Sequence, residues 1–128
     1  MGPEAKLYKK LRRVSKEISW IRIENLSGLG TPDLLGYNTS GTFFTVELKV
    51  TKSNKVRFSP HQIAFHKTHP KNTFILVEAL GQRSSKLSQF FLIPGSRISE
   101  LVACGLRPKL DACGLTLEAC CLKLQNLN

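Results

Sequence analysis

The chain has 128 residues, enough to bury one hydrophobic core without covalent staples or an obligatory metal, and a single domain is expected. Nineteen Lys and Arg against nine Asp and Glu leave a formal net charge of +10, which fits a polyanionic partner, because each cation placed on a phosphate releases condensed counterions. No apolar run approaches the roughly 18 residues that span a bilayer, and the basic residues 1–13 lack the apolar stretch and cleavage site of a secretory signal. A membrane role is therefore not expected, and a cytoplasmic location is.

In chain order, Leu7, Leu11, Val14 and Ile18 recur at helical spacing over residues 4–18, with Lys6, Lys9, Lys10, Arg13 and Glu17 opposite them. This predicts an amphipathic helix with a basic outer face. From Trp20 the pattern shortens to alternation through Ile21, Arg22, Ile23 and Glu24, and Gly28-Leu29-Gly30-Thr31-Pro32 then reads as a turn. Residues 33–37 and 42–50 are predicted strands joined by the turn residues 38–41, a hairpin rich in β-branched and aromatic side chains.

Ser59-Pro60-His61-Gln62 combines an N-cap serine, proline at the first helical position and glutamine three residues after the cap, opening a helix to about His69. Residues 73–80 and 89–93 read as two further strands, the first apolar enough to be interior, with 84–88 a loop between them. A helix from about Ser96 ends at Gly105, and a short helix near 116–125 is expected in the tail. The order predicts an α/β fold with a mixed central sheet flanked by helices. Residues 106–128 are expected to extend it, with a role in packing or in a dimer interface.

Four cysteines at 104, 113, 120 and 121 show no Cys-x-x-Cys spacing, so buried free thiols are expected. His61, His66 and His69 include a His-x-x-His spacing but no nearby acid or cysteine to close a zinc site, and read as surface or structural histidines.

The chemistry concentrates in the hairpin. Residues two apart on a strand share a face, so Thr45, Glu47 and Lys49 lie on one side and Phe44, Val46, Leu48 and Val50 on the other, which is core. Asp33 opens the preceding strand, so two carboxylates can meet at one point. Phosphodiester hydrolysis needs Mg²⁺ or Mn²⁺ to polarise phosphate and activate water, and such hard cations choose carboxylate and carbonyl oxygens. Asp33, Glu47 and the backbone carbonyl of Leu48 would supply them, with Lys49 orienting the water or stabilising charge on phosphorus. A solvated edge-strand pair and a simple turn aspartate would explain the same residues one by one. Lys52, Lys55 and Arg57 follow in the loop after this strand and are placed to grip flanking phosphates, as are Lys9 and Arg13 on the first helix, a solvated surface being the plainer account.

Gly30-Thr31-Pro32-Asp33-Leu34-Leu35, residues 34–46 between the two acids, and Val46-Glu47-Leu48-Lys49 within an aromatic hairpin together resemble the PD-(D/E)XK nuclease motif. With Ser59-Pro60-His61-Gln62-Ile63 after the lysine, the chain is similar to stand-alone VRR-NUC proteins and archaeal-type Holliday-junction resolvases over roughly its first 95 residues. The resemblance implies a restriction-endonuclease-like core, metal-dependent cleavage of DNA, branched junctions in particular, and a homodimer that cuts two opposed strands. It also implies an acid from the first helix at the metal. Of Glu4 and Glu17, Glu4 falls at the edge of the Leu7/Leu11 face and Glu17 on the basic face, so Glu4 is the candidate, although a first-turn acid also suits the helix dipole. Gln62 matches the family's glutamine beside the lysine, while the capping box accounts for the same side chain.

A sequence-preferring homing or restriction-like endonuclease would carry the same motif, RNA stays open as a substrate, and a catalytically inactive nucleic-acid-binding module would share the charge. A prokaryotic or viral setting fits the compact basic design.

Overall fold

The computed structural model describes residues 2–23, 30–80, 88–106 and 116–128. Its elements are α1 (Pro3–Val14), β1 (Ser19–Arg22), β2 (Leu34–Tyr37), β3 (Phe43–Thr51), α2 (Pro60–Thr68), β4 (Thr73–Ala79), β5 (Gln89–Pro94), a 3₁₀ turn (Gly95–Arg97), α3 (Ile98–Cys104) and α4 (Leu117–Gln125). The five strands form one sheet in sequential order. Strand β3 runs parallel to β4, with α2 in the crossover, and every other pairing is antiparallel. The fold is α/β, with a mixed sheet flanked by helices, as the order of predicted elements requires.

Each face of the sheet has its own core. On one, Leu7 and Leu11 of α1 and Leu117, Cys120, Cys121 and Leu124 of α4 pack on Phe44, Val46, Leu48, Leu76 and Leu92. On the other, Ile98 and Leu101 of α3, with Ile63 of α2 at the margin, pack on Ile75, Val77, Phe91 and Ile93. The side of β3 predicted to be core is the α1/α4 side. The tail expected as an extension thus includes, in α4, an integral part of the larger core, because each turn of that helix contributes an apolar side chain to it.

Helix α1 is shorter than its periodicity predicts. It ends at Val14, which is exposed, while Ile18 is buried beyond the helix in the turn to β1. Ser15 explains the stop: its hydroxyl donates to the Leu11 carbonyl and accepts from Trp20 Nε1 at 2.9 Å, turning the chain toward β1. The capped start of α2 is as predicted, with Ser59 Oγ accepting from Gln62 N at 3.1 Å and Gln62 Oε1 accepting from Ser59 N at 3.0 Å. Helix α3 closes at Gly105, whose φ of +67° suits glycine.

The β2–β3 turn is built on Asn38. Its Oδ1 accepts from Ser40 N and Thr42 N at 3.0 Å each, and its Nδ2 donates to the Leu124 and Leu127 carbonyls at 2.9 and 3.0 Å. One buried amide therefore shapes the hairpin and satisfies carbonyls at the end of α4. Cys120 and Cys121 are buried, and burial pushes their thiols up to about 12 and about 11. Cys104 departs from the expectation by being exposed, since it sits in the last turn of α3 facing away from the sheet. Cys113, the Gly28-Leu29 part of the predicted turn, Glu24 and most of the 84–88 loop lie outside the described residues.

Among the described residues no helix is long and apolar enough to cross a membrane.

Candidate active site

The β2–β3 ladder starts at Leu34↔Val46, so β2 does not reach the C-terminal half of β3. Asp33, just before β2, takes the place of a strand partner there, its Oδ2 accepting from Leu48 N at 2.8 Å. The N–H and C=O of one strand residue point to the same side, so the Leu48 carbonyl also faces the Asp33 side. The Asp33 carbonyl in turn accepts from Ile23 N at 2.8 Å, which ties the residue to the end of β1.

Glu47 lies on the α2/α3 side of β3 and is buried. Its Oε2 accepts from Gln62 Nε2 at 3.2 Å. Its Oε1 is buried with no hydrogen-bond partner, a costly arrangement for a carboxylate unless a proton or a cation occupies the gap. Burial, then the charge and hydrogen-bonding influence of the neighbouring Asp33 carboxylate, push the Glu47 carboxyl from its ordinary 4.5 up to about 8. Lys49 opposes that rise and the charge of Glu4 adds to it.

Lys49, two residues on, is held by Gln62 Oε1 at 3.1 Å, and its Nζ sits 4.8 Å from the centre of the Phe58 ring. Gln62 therefore caps α2, donates to Glu47 and accepts from Lys49 with one side chain. The capping box expected of this residue is present, and the same side chain also lies beside the lysine.

Gly30 makes the assembly possible. Its φ is +79°, and a Cβ there would meet the His61 carbonyl and Gln62 N at 2.3–2.6 Å. The turn leading to Asp33 is pressed against the first turn of α2, so the Asp33 segment and Gln62 meet only because residue 30 has no side chain.

Glu4 is exposed in the first turn of α1, at the rim of an open cleft of about 380 Å³ that it lines with Lys49, Thr51, Lys52, Lys55 and Arg57. Four cations face one anion across this cleft, which suits a polyanion. No three His, Cys, Asp or Glu side chains group as a metal cluster among the described residues. Glu4 thus lies at the rim of the cleft, near enough for its charge to act on Glu47. Glu17, in the turn after α1, lines a separate hollow against α4 together with Arg13. Arg13 and Lys9 were expected to meet phosphates, but neither lines the cleft. Both are exposed.

One feature of the site leaves no trace in spacing, and the sequence leaves one histidine between two readings. Phe58 lies under Lys49, and its place in an irregular segment with no period hid it. His66 is fully buried, its Nδ1 3.0 Å from the Gln62 carbonyl, and burial lowers its tendency to protonate. It is the structural histidine of the three, while His61 and His69 are exposed.

The fold and the site together define an α/β domain that gathers two carboxylates, a lysine and a glutamine where a short strand falls away from the central one. No family model and no curated protein matches the chain. Among solved structures it is similar to that of Hjc from Archaeoglobus fulgidus, described as a Holliday junction resolvase from an archaeal hyperthermophile. The identity is 16%, the TM-score 0.48, and the match covers 71% of this chain and 72% of that one.

Proposed function

We propose that this chain is a metal-dependent endonuclease of the PD-(D/E)XK type, with a restriction-endonuclease-like core, that hydrolyses DNA phosphodiester bonds, branched or junction DNA in particular. The observation that carries the reading is the buried Oε1 of Glu47, which has no donor and lies beside Asp33 with Lys49 next to it.

The donor set fits Mg²⁺ or Mn²⁺. Magnesium commonly takes one or two carboxylates and completes its shell with water and substrate phosphate, and Asp33, Glu47 and the Leu48 carbonyl offer that number of protein oxygens. The bound ion would lower the pKa of an attacking water and polarise the phosphate. Asp33 is anchored by the Leu48 amide and Glu47 by Gln62, so both carboxylates are oriented before substrate arrives. Lys49, restrained by Gln62 and Phe58, presents its ammonium where negative charge builds on phosphorus. Lys52, Lys55 and Arg57 hold the flanking phosphates and set the strand in register. Glu4, at the rim of the cleft, would be the assisting acid from the first helix.

The reading includes a single domain over 1–128, a symmetric dimer able to cut two opposed strands, and a cytoplasmic setting. A catalytically inactive binding module is the second reading, favoured by the lack of a three-carboxylate cluster among the described residues.

Labelled four-way junction, duplex and single-stranded DNA, incubated with the protein in Mg²⁺, Mn²⁺ or EDTA, decide between the two. Cleavage that requires metal and disappears in Glu47→Gln while binding persists establishes the nuclease. Binding without cleavage of any substrate in either metal establishes the module.

A further inference from the structure

The side of the sheet that bears Glu47 is only half covered. The core beneath α2 and α3 draws its strand side chains from β4 and β5, namely Ile75, Val77, Phe91 and Ile93 at its centre. Pairing register puts Ile21, Tyr37 and Phe43 on this same face of β1, β2 and β3, since Trp20, Gly36 and Phe44 belong to the opposite one. Among the described residues no helix packs over them. They are 57%, 42% and 57% exposed, a high exposure for three large apolar side chains on adjacent strands.

The patch has internal order. Tyr37 and Phe43 are cross-strand partners with ring centroids 4.4 Å apart and planes inclined at 47°. Phe43, Thr45 and Glu47 follow one another along one face of β3, so the backbone positions of Phe43 and Glu47 are about 13 Å apart along the strand at roughly 3.3 Å per residue. The basic cleft lies toward the other end of the same strand, beside Thr51. Aromatic pair, carboxylates and cations therefore follow a single line along β3.

Area decides between the occupants of such a face. With about 150–250 Å² available per large side chain, the exposed fractions leave roughly 300 Å², well short of the about 800 Å² per partner that a stable protein interface buries. A second copy docked here would also close over the carboxylate face. Unpaired bases need no more than an exposed ring on which to stack, and the +10 net charge draws in the strand that carries them.

We infer that Tyr37 and Phe43, with Ile21 beside them, form a stacking platform for unpaired bases of a DNA strand whose backbone runs along β3 to the carboxylates. The inference rests on the nuclease reading for its direction along β3. It narrows the substrate to DNA with a single-stranded segment next to the cut.

The test reads binding by the full chain in EDTA, where no cleavage interferes. A labelled single strand, the same sequence as blunt duplex, and a duplex with an unpaired flap are titrated with wild type, Tyr37→Ala, Phe43→Ala and Phe43→Trp, each checked for fold by circular dichroism. Each alanine variant is expected to weaken single-strand and flap binding by about 5- to 100-fold with blunt-duplex binding unchanged, and Phe43→Trp to retain wild-type affinity. Equal losses on blunt duplex, no loss on any substrate, or a dimer in sedimentation that dissociates on Phe43→Ala overturns the platform. Wild-type cleavage in Mg²⁺ is scored separately. Selective binding losses with no cleavage leave the platform standing and remove the nuclease, and cleavage without selective losses does the reverse.

Discussion

Gln62 Nε2 donates to Glu47 Oε2 at 3.2 Å while the Oε1 of the same amide accepts from Lys49 and from the backbone of Ser59. A helix start and a candidate active site thus hang on one side chain. Breaking the cap alone with Ser59→Ala should cost about 1 kcal/mol of stability and leave cleavage close to wild type. Gln62→Ala keeps the bond to Ser59 Oγ but loses the acceptor for Ser59 N and also a donor to a buried carboxylate, the latter worth ~1–3 kcal/mol, and should lower the cleavage rate as well. Thermal melts and single-turnover cleavage of the two variants check this.

The Glu47 carboxyl, pushed up to about 8 in the folded chain from 4.5, predicts how stability depends on pH without metal. Between these values the folded state holds a proton that the unfolded state has released, so stability falls as pH rises from about 4.5 and levels off above about 8. Glu47→Gln should flatten the profile. Mg²⁺ or Mn²⁺ should stabilise more at pH 8 than at pH 5, because the cation competes with that proton. Melting temperatures in EDTA and in metal across this range give the answer, and an unchanged slope in Glu47→Gln would sink the assignment.

Gly30→Ala puts a methyl group into the His61 and Gln62 backbone and forces a positive φ on a residue that resists it. A loss of at least about 1–3 kcal/mol is expected from the backbone alone, with activity falling further than stability because the Asp33 segment must move from α2. Urea denaturation and cleavage at a temperature where the variant is folded separate the two effects.

Lys49→Ala removes the cation that the proposed mechanism sets against the reacting phosphate. Cleavage should fall by about 10²–10³-fold, the scale for losing one preorganised donor, with little change in DNA affinity. The triple variant Lys52→Ala, Lys55→Ala and Arg57→Ala should do the opposite, weakening binding and reducing its salt slope by about 2–3. Binding isotherms at several salt concentrations distinguish them.

Lys10 and Glu78 form an ion pair at 2.7 Å between α1 and a buried carboxylate on β4. Lys10→Ala leaves that carboxylate without its cation and should destabilise the fold by roughly 1–3 kcal/mol, less than a fully buried pair because Lys10 is half exposed. Glu78→Gln combined with Lys10→Ala should recover part of the loss, measurable by a double-mutant cycle.

Local order determined much of this. Alternation along 43–51 placed Glu47 and Lys49 on one face, the Ser59-Pro60-His61-Gln62 run set the start of α2, and Gly105 set the end of α3, because these signals act over a few residues through backbone geometry and hydrogen bonds. The meeting of Asp33 with Glu47 was legible only as a motif, since spacing alone cannot state which strand ends first. Tertiary structure decided the rest. The early end of β2 sent the Asp33 carboxylate to the Leu48 amide, and the absence of a side chain at Gly30 let the segment before Asp33 press against the first turn of α2. Packing of α1 on the far face kept Glu4 at the rim, and α4 became core. The uncovered face at Ile21, Tyr37 and Phe43 likewise follows from which strands the helices cover, a matter of register between distant segments and not of any local period.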